Sequence, residues 1–328
     1  MSELTLLPEN LPLPWLDELP GDVRELFERS ESDNTMRAYR ADLIMFLEWC
    51  HHHKVSPLPC DPIDLVRFLN EQSDGFAMST VTRRASAVSW IHRRAGYLGK
   101  ENPRTAGIVT EAIRLLRRKH RDQRPKQAKE MTIGIVRETV RECQEDKNEM
   151  KGKRDRALIL IGFASSMRRS ELSRVEVDDL NFVEHGLEIY IPWSKTDQTG
   201  EGHIVRIARG HSALTCPVEA LRDWLNSTGI QSGRIFRRVR KNGSFRENLS
   251  DWAIWHIVKT RMKALGLKNW DEFAGHSMRA GFASTAAENG ASFQAIKTQG
   301  NWKSDQSLMR YIRNKEDWDN AASGKLGL

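Results

Sequence analysis

Cysteine is scarce in this chain, with four among 328 residues and none in a CxxC pair. Cys50, Cys60, Cys143 and Cys216 have neither the density of a disulfide-stapled domain nor the spacing of a zinc site, so reduced thiols in a cytoplasmic setting are expected. No apolar run is long enough to span a membrane, and the acid-containing N-terminus lacks the pattern of a secretory signal. Internal repeats and low-complexity tracts are absent. His51, His52 and His53 follow Cys50, but consecutive helical residues point to different faces. The tract therefore reads as a solvated helix end, and no metal site is expected. Tyrosine is also rare, occurring only at Tyr39, Tyr97, Tyr190 and Tyr311. Tyr39 fits an apolar helix face and Tyr190 falls within a strand pattern.

Positive charge is plentiful. Lys and Arg number 51 against 44 Asp and Glu, a net charge of +7, which favours a polyanionic partner. Net charge alone does not separate a nucleic-acid binder from a merely basic protein; clustering does. Arg114, Arg117, Arg118, Lys119, Arg121, Arg124, Lys126 and Lys129 face only Asp122 within their stretch. Arg234, Arg237, Arg238, Arg240, Lys241 and Arg246 meet no acid before Glu247.

Length and pattern predict two domains. Residues 1–21, with four prolines, form an extended lead-in. Residues 22–119 read as an all-α domain. Met36, Tyr39, Leu43, Phe46 and Leu47 share one helix face after a cap at Asp33 or Asn34, and a shorter helix holds Leu65, Val66 and Phe68. Ser79 caps a third helix with Val81, Ala85, Val88 and Ile91 inward, and a fourth covers about 106–119. Residues 120–131 read as a linker. In the second domain, 132–328, helices are expected near 132–144, around Ala157–Phe163, from Pro217 to about Gly229, and at 250–265, 277–289, 292–298 and 304–314. Alternation at Leu187, Ile189 and Ile191, then at Ile204, Val205 and Ile207, marks an antiparallel strand pair whose tip carries Lys195. The fold class is mainly α with a small antiparallel β-sheet (α+β).

Cleavage of a phosphodiester by a side chain needs a nucleophile, neutralisation of the equatorial oxygens and a proton for the departing oxygen. Tyr311 can supply the first. Arg279 lies three residues past His276, on one helix face, and a planar guanidinium grips two phosphate oxygens at once. Arg168 offers a second clamp, with Glu171 one turn later to orient it. Lys195 at a hairpin tip can reach across a groove to protonate the leaving oxygen, and the Trp302 indole N–H can bond a phosphate oxygen. Each of these has a blander alternative: a half-buried tyrosine, a surface ion pair, a solvated lysine, a core tryptophan. Their order and combination favour the catalytic one.

Ser166-Met167-Arg168-Arg169-Ser170-Glu171-Leu172 resembles the first arginine box of the tyrosine recombinase (phage integrase) family. Gly275-His276-Ser277-Met278-Arg279-Ala280-Gly281 resembles its second box, and Trp302 through Tyr311-Ile312-Arg313-Asn314 its nucleophile segment. Similarity to phage and plasmid members extends over about 22–315, including Ile91-His92-Arg93-Arg94-Ala95-Gly96 and Arg238-Val239-Arg240-Lys241-Asn242-Gly243. The resemblance implies a two-domain, C-shaped clamp on double-stranded DNA and a 3′-phosphotyrosyl link at Tyr311. Strand exchange would pass through a Holliday junction, with no cofactor, metal or ATP. It implies that Arg168, His276, Arg279 and Trp302 bind the scissile phosphate, that Lys195 is the general acid and that Glu171 supports the site. It also implies a monomer when free and a homotetramer on two inverted-repeat, lox-like sites, with the C-terminal tail docking into a neighbour. The few apolar residues in Gly324–Leu328 make that a modest interface. Arg169 departs from the pattern, since an apolar residue is usual there; Arg168 is taken as the clamp because its separation from Glu171 matches the box. Trp252 stands near where members can carry a base-reading arginine.

Arg37 and Arg40 on one helix, and Arg83 and Arg84 on another, are expected to face outward and read base edges. Arg117, Arg118, Arg121, Arg238, Arg240 and Lys241 are expected on phosphates. The lead-in is too short for an additional arm-binding domain, so a simple, accessory-free site is expected. A type IB topoisomerase and a non-catalytic DNA-binding regulator are the competing functions.

Overall fold

The structure, a computed structural model, describes residues 33–122, 128–192 and 202–312. Contacts divide the chain into two units, residues 1–126 and 127–328. Lys195, the lead-in and the C-terminal tail lie outside the described residues.

The first unit is helical. Helix α1 (Asp33–His53) packs on α3 (Met78–Arg94), while α2 (Pro62–Gly75) packs on α4 (Gly107–Lys119). Phe46, Trp49, Leu65, Phe68, Leu69, Val81, Ala85, Val88, Val109, Ile113 and Leu116 fill the interior. These positions follow the 3.6-residue period, so each helix buries one stripe and solvates the other. Asp61 caps α2, accepting the Ile63 N–H, and Pro62 fills the first turn, where no N–H is needed. His92 is fully buried; its Nε2 accepts the Cys60 N–H at 2.9 Å and its Nδ1 bonds the Val88 carbonyl at 2.8 Å. Burial holds its pKa below the ordinary imidazole value, so it is a neutral internal tie between α3 and the approach to α2. His51, His52 and His53 are exposed at the end of α1, as expected of a solvated helix end.

Two expectations for this unit fail. Ser79 is not the cap of α3; the helix begins at Met78 after Ala77, and no side chain caps it. Arg84 does not face outward. It is 5 % exposed, bonds Gln72, lies 3.5 Å from Asp42 and covers the Phe76 ring at 3.9 Å. The helix turns Arg84 inward beside Ala85, so it serves the fold. Arg83 remains half exposed but is held by both Asp42 oxygens at 2.7 and 3.0 Å.

In the second unit, α5 (Ile133–Gln144), α8 (Pro217–Thr228) and α10 (Gly275–Glu288) surround α6 (Glu149–Ser165). The second half of α6, residues 157–164, is apolar on every side, and ten residues of the helix are buried, as befits a central helix. A short α7 (Arg169–Leu172) follows it, then the antiparallel sheet β1 (Leu180–Val183), β2 (Gly186–Ile191) and β3 (His203–Ala208). Leu187 pairs with Ile207 and Ile189 with Val205, and all four point into the core. A second hairpin, β4 (Arg237–Val239) and β5 (Phe245–Asn248), precedes α9 (Asp251–Ala264). After α10 come α11 (Phe293–Gln299) and α12 (Asp305–Met309). Strands β1, β4 and β5 are three or four residues long, too brief for period-two alternation to stand out.

The expected linker ends early. Within 128–131, the Lys129 N–H donates to the Glu272 carbonyl and the Met131 N–H to the Ser277 carbonyl, and Met131 is fully buried. Glu130 accepts the Ser284 hydroxyl at 2.5 Å. This polar stretch carries a single large apolar residue, so periodicity does not reveal it, yet it is docked on α10.

A buried charge network joins three helices of this unit. Arg261 on α9 is 1 % exposed and bonds Asp155 on α6, Glu142 on α5 and Asp146 in the α5–α6 turn at 2.6 to 3.0 Å. Removing one partner of such a network leaves buried charge uncompensated, at about 3–5 kcal/mol. Arg261→Met is therefore expected to lower unfolding stability by about that amount in a denaturant titration, and an unchanged midpoint would contradict this role.

Candidate active site

Arg279 on α10 is 3 % exposed and draws together segments distant in sequence. Its Nη1 donates to the Ser166 carbonyl at 2.5 Å and its Nη2 to the Gly300 carbonyl at 2.6 Å. Its Cζ lies 3.9 Å from the centroid of the Trp302 ring, within cation–π range. Ser166 can present its carbonyl because it ends α6 in the left-handed conformation (φ 56°, ψ 19°), turning the chain toward Arg168. Gly300 can present its own because it has no side chain; a Cβ there would fall 1.8 Å from the Trp302 ring.

Arg168 sits at the N-terminal boundary of α7. Glu171 accepts its backbone N–H at 2.8 Å and its Nη1 at 2.7 Å, with the carboxylate 7 % exposed. The supporting part expected of Glu171 is thus directed at Arg168. Burial first, and then the Arg168 charge, push the Arg279 guanidinium down to about 10, so it stays charged at neutral pH. His276, one turn before Arg279 on α10, is exposed on one side while its ring packs close to protein. Burial, then Arg169, Arg279 and Arg168, hold its pKa below the ordinary imidazole value. Helix α10 begins at Gly275, not at Ser277. Ser277 instead turns its hydroxyl back to accept the Ala274 N–H at 2.8 Å, which sets His276 in the first turn.

Trp302 is 5 % exposed and packs with Ala283, Ile296 and Leu308. It acts as the platform beneath Arg279, a part that its expected hydrogen bond to phosphate did not include. The half-buried Tyr311 ring stands 5.6 Å from the Trp302 ring at 54° and is close enough to Arg279 to act on its charge. Helix α12 ends at Met309, so Tyr311 lies just beyond it and not inside a helix running to 314. Its N–H donates to Leu308 at 2.8 Å, and its carbonyl accepts the Ser284 hydroxyl at 3.0 Å. Lys195 lies outside the described residues, but the root of its hairpin adjoins this segment. Gln299 Nε2 donates to the Arg206 carbonyl on β3 at 2.7 Å, and Asn301 Nδ2 lies 3.3 Å from His203 Nδ1.

Two guanidiniums, an imidazole and a phenol therefore converge within the second unit. Cys50, Cys60 and Cys143 offer no competing nucleophile of this kind: burial pushes the Cys50 and Cys60 thiols up to about 12 and that of Cys143 up as well. Among the described residues, no group of three or more His, Cys, Asp or Glu side chains could hold a metal ion.

Of the residues expected on DNA, Arg37, Arg40, Arg117, Arg118, Arg121, Arg238, Arg240 and Lys241 are exposed. Arg238 and Arg240 are not free of acid, since the β4–β5 hairpin brings Glu247 to 3.3 and 3.0 Å from them. A linear count of charge misses this cross-strand pairing. A further exposed face runs along α9. Trp252 is 64 % exposed and stacks on His256 at 8°, while Lys259 covers both Trp255 and Trp270. The i,i+3 and i,i+4 spacing of Trp252, Trp255 and His256 carries that signal in the sequence.

Comparison with known proteins assigns the chain to a family. Residues 136–317 match the phage integrase family and residues 23–95 the phage integrase N-terminal SAM-like domain. The chain is 37 % identical over 313 residues to an integrase/recombinase XerD homologue of Selenomonas ruminantium, covering 94 % of this chain and 89 % of that protein. It is 27 % identical over 341 residues to the recombinase Cre of Escherichia phage P1, covering 96 % and 95 %. Among solved structures, a lambda integrase dimer bound to a COC′ core site aligns at a TM-score of 0.61 with 17 % identity, covering 94 % of this chain and 98 % of that one. XerH recombinase bound to a palindromic difH substrate aligns at 0.62 with 15 % identity, covering 93 % and 82 %. The two-domain, mostly helical architecture is that of DNA strand-exchange enzymes, and the chain belongs to the phage integrase, or tyrosine recombinase, family. Members of this family are site-specific recombinases that cleave and rejoin DNA.

Gly300→Ala introduces no backbone strain at φ −88°, so its effect is steric. It is expected to displace Trp302, cost about 1–3 kcal/mol of stability and reduce DNA cleavage; wild-type melting and cleavage together would contradict the platform. By NMR, the His276 ring is expected to titrate below the ordinary imidazole value in the free protein, and a normal or raised value would contradict the cationic surroundings.

Proposed function

We propose that this recombinase cuts DNA by attack of the Tyr311 phenol oxygen, its proton passing to solvent, on the scissile phosphorus, forming a 3′-phosphotyrosyl bond. As that bond forms, the bond from phosphorus to the 5′ oxygen breaks, and Lys195 delivers a proton to the leaving oxygen. Arg168 and Arg279 hold the non-bridging oxygens, His276 adds a hydrogen bond, and Glu171 keeps Arg168 in position. Trp302 supports Arg279 and flanks Tyr311. One phosphodiester is exchanged for another, so the covalent link keeps the energy needed for religation and the reaction requires neither ATP nor metal. The free 5′ hydroxyl of a partner duplex then attacks the phosphotyrosine, and exchange passes through a Holliday junction. The observation that carries this reading is the convergence on Arg279 of Ser166, Gly300 and Trp302, with Arg168 and Tyr311 beside it.

The partner in this reading is double-stranded DNA with an inverted-repeat, lox-like site in the cytoplasm. The protein is a monomer when free and a homotetramer on two such sites. An open apolar groove of about 400 Å³ in the second unit, bordered by Phe163, Ala164, Ile207, Pro217, Phe282 and Ala286, supports assembly by offering a seat for a neighbour's tail. Exposed Arg37, Arg40, Arg117, Arg118 and Arg121 and the aromatic face of α9 supply DNA contacts.

On a nicked suicide duplex, the wild-type protein is expected to form a covalent adduct and Tyr311→Phe none. An adduct that survives Tyr311→Phe would remove the tyrosine mechanism. Lys195→Ala is expected to bind DNA normally and cleave about a hundredfold more slowly; equal loss of binding and cleavage would contradict its acid role. Recombination between two plasmid sites, as opposed to relaxation of a single plasmid, separates this reading from a topoisomerase.

A further inference from the structure

The residue after the Arg168 clamp is a second arginine, and its side chain lies against the start of α10. A Cβ at Gly275 would fall 2.0 Å from both Cγ and Cδ of Arg169 and 3.0 Å from its Nε. The Arg169 stem therefore occupies the space that any other residue at 275 would fill. This holds the guanidinium at the helix end that carries His276 and Arg279, where the helix dipole adds further positive character.

Arg168 and Arg169 differ in their company. Arg168 is paired with the buried Glu171 carboxylate. The Arg169 guanidinium, half-buried, has no carboxylate and no hydrogen-bond acceptor among the described residues. A cation partly withdrawn from water without a partner is costly. A bound anion would relieve that cost. The electrostatics agree, since Arg169 is the strongest charge acting on His276, ahead of Arg279 and Arg168.

We infer that Arg169 is a third guanidinium of the catalytic centre, binding the same scissile phosphate as Arg168 and Arg279, and that Gly275 seats it there. This rests on the recombinase reading above. A planar fork can bond one non-bridging oxygen while the neighbouring guanidiniums hold the others, spreading the charge that builds on phosphorus.

The test uses full-length protein, a nicked suicide duplex and a salt series of DNA binding. Arg169→Gln keeps most of the stem over Gly275 and removes the charge. It is expected to cleave about a hundredfold more slowly and to lose about one unit from the slope of log affinity against log salt. Arg169→Lys keeps the charge without the fork; it should hold the slope yet cleave at least about tenfold more slowly. Gly275→Ala, which leaves Arg169 in the chain but displaces it, should cleave like Arg169→Gln.

Wild-type cleavage in Arg169→Gln would overturn the inference. So would slow cleavage with an unchanged salt slope and a lowered melting temperature, which marks a purely structural residue. If Arg169→Gln does not fold, the decision passes to Arg169→Lys, where wild-type cleavage overturns it. Persistence of the adduct in Tyr311→Phe is the separate result that would remove the underlying mechanism instead.

Discussion

The second unit depends on how a buried guanidinium is accommodated. Arg279 is nearly sealed from water and meets two backbone carbonyls and an indole face; among the described residues no carboxylate pairs with it. Its two hydrogen bonds force Ser166 and Gly300 to converge, and those residues deliver Arg168 on one side and Trp302 with Tyr311 on the other. A guanidinium has five N–H donors. With two engaged by the protein, the others remain for a ligand, and burial makes a bond to an anion stronger than it would be in water. Burial, and then the Arg168 charge, hold the Arg279 pKa below its ordinary value. In the proposed mechanism the scissile phosphate takes up those remaining donors.

Much of this was legible in the sequence because helical periodicity and local spacing encode it. The stripes of α1 and α3 and the alternation in β2 and β3 follow from single-segment rules. Recognition of the arginine boxes added which residues to gather, and the structure brings Arg168, Glu171, His276, Arg279, Trp302 and Tyr311 together. Less legible were features decided by tertiary contact. Arg84 reads as an outward arginine until Asp42, Gln72 and Phe76 close over it. Residues 128–131 read as linker until backbone bonds to Glu272 and Ser277 dock them on the second unit. Trp302 as a support for Arg279 depends on Gly300, whose missing side chain has no meaning before the ring is seen against it.

Charge in this protein is divided between holding the fold and meeting a polyanion. Arg261, Arg154 and Arg84 are buried and serve the fold. Arg117, Arg118 and Arg121 are exposed near the end of α4, where little acid opposes them. Arg238 and Arg240 stand between these cases, because Glu247 must release them, or share them, if a phosphate is to be bound. Net charge therefore overstates the number of cations ready for DNA, and the cross-strand and buried pairings say which to discount.

The central claim is that the Tyr311 phenol, Arg168, Arg279 and His276 surround one phosphorus-sized space. A structure of the full protein with its nicked DNA site and vanadate, which adopts the five-coordinate geometry of phosphorus in flight, measures that directly. The account predicts vanadium bonded to the Tyr311 oxygen, with both guanidiniums and the imidazole within hydrogen-bond reach of its equatorial oxygens. Vanadium held elsewhere, or an Arg279 still turned wholly to protein and out of reach of it, would contradict the account.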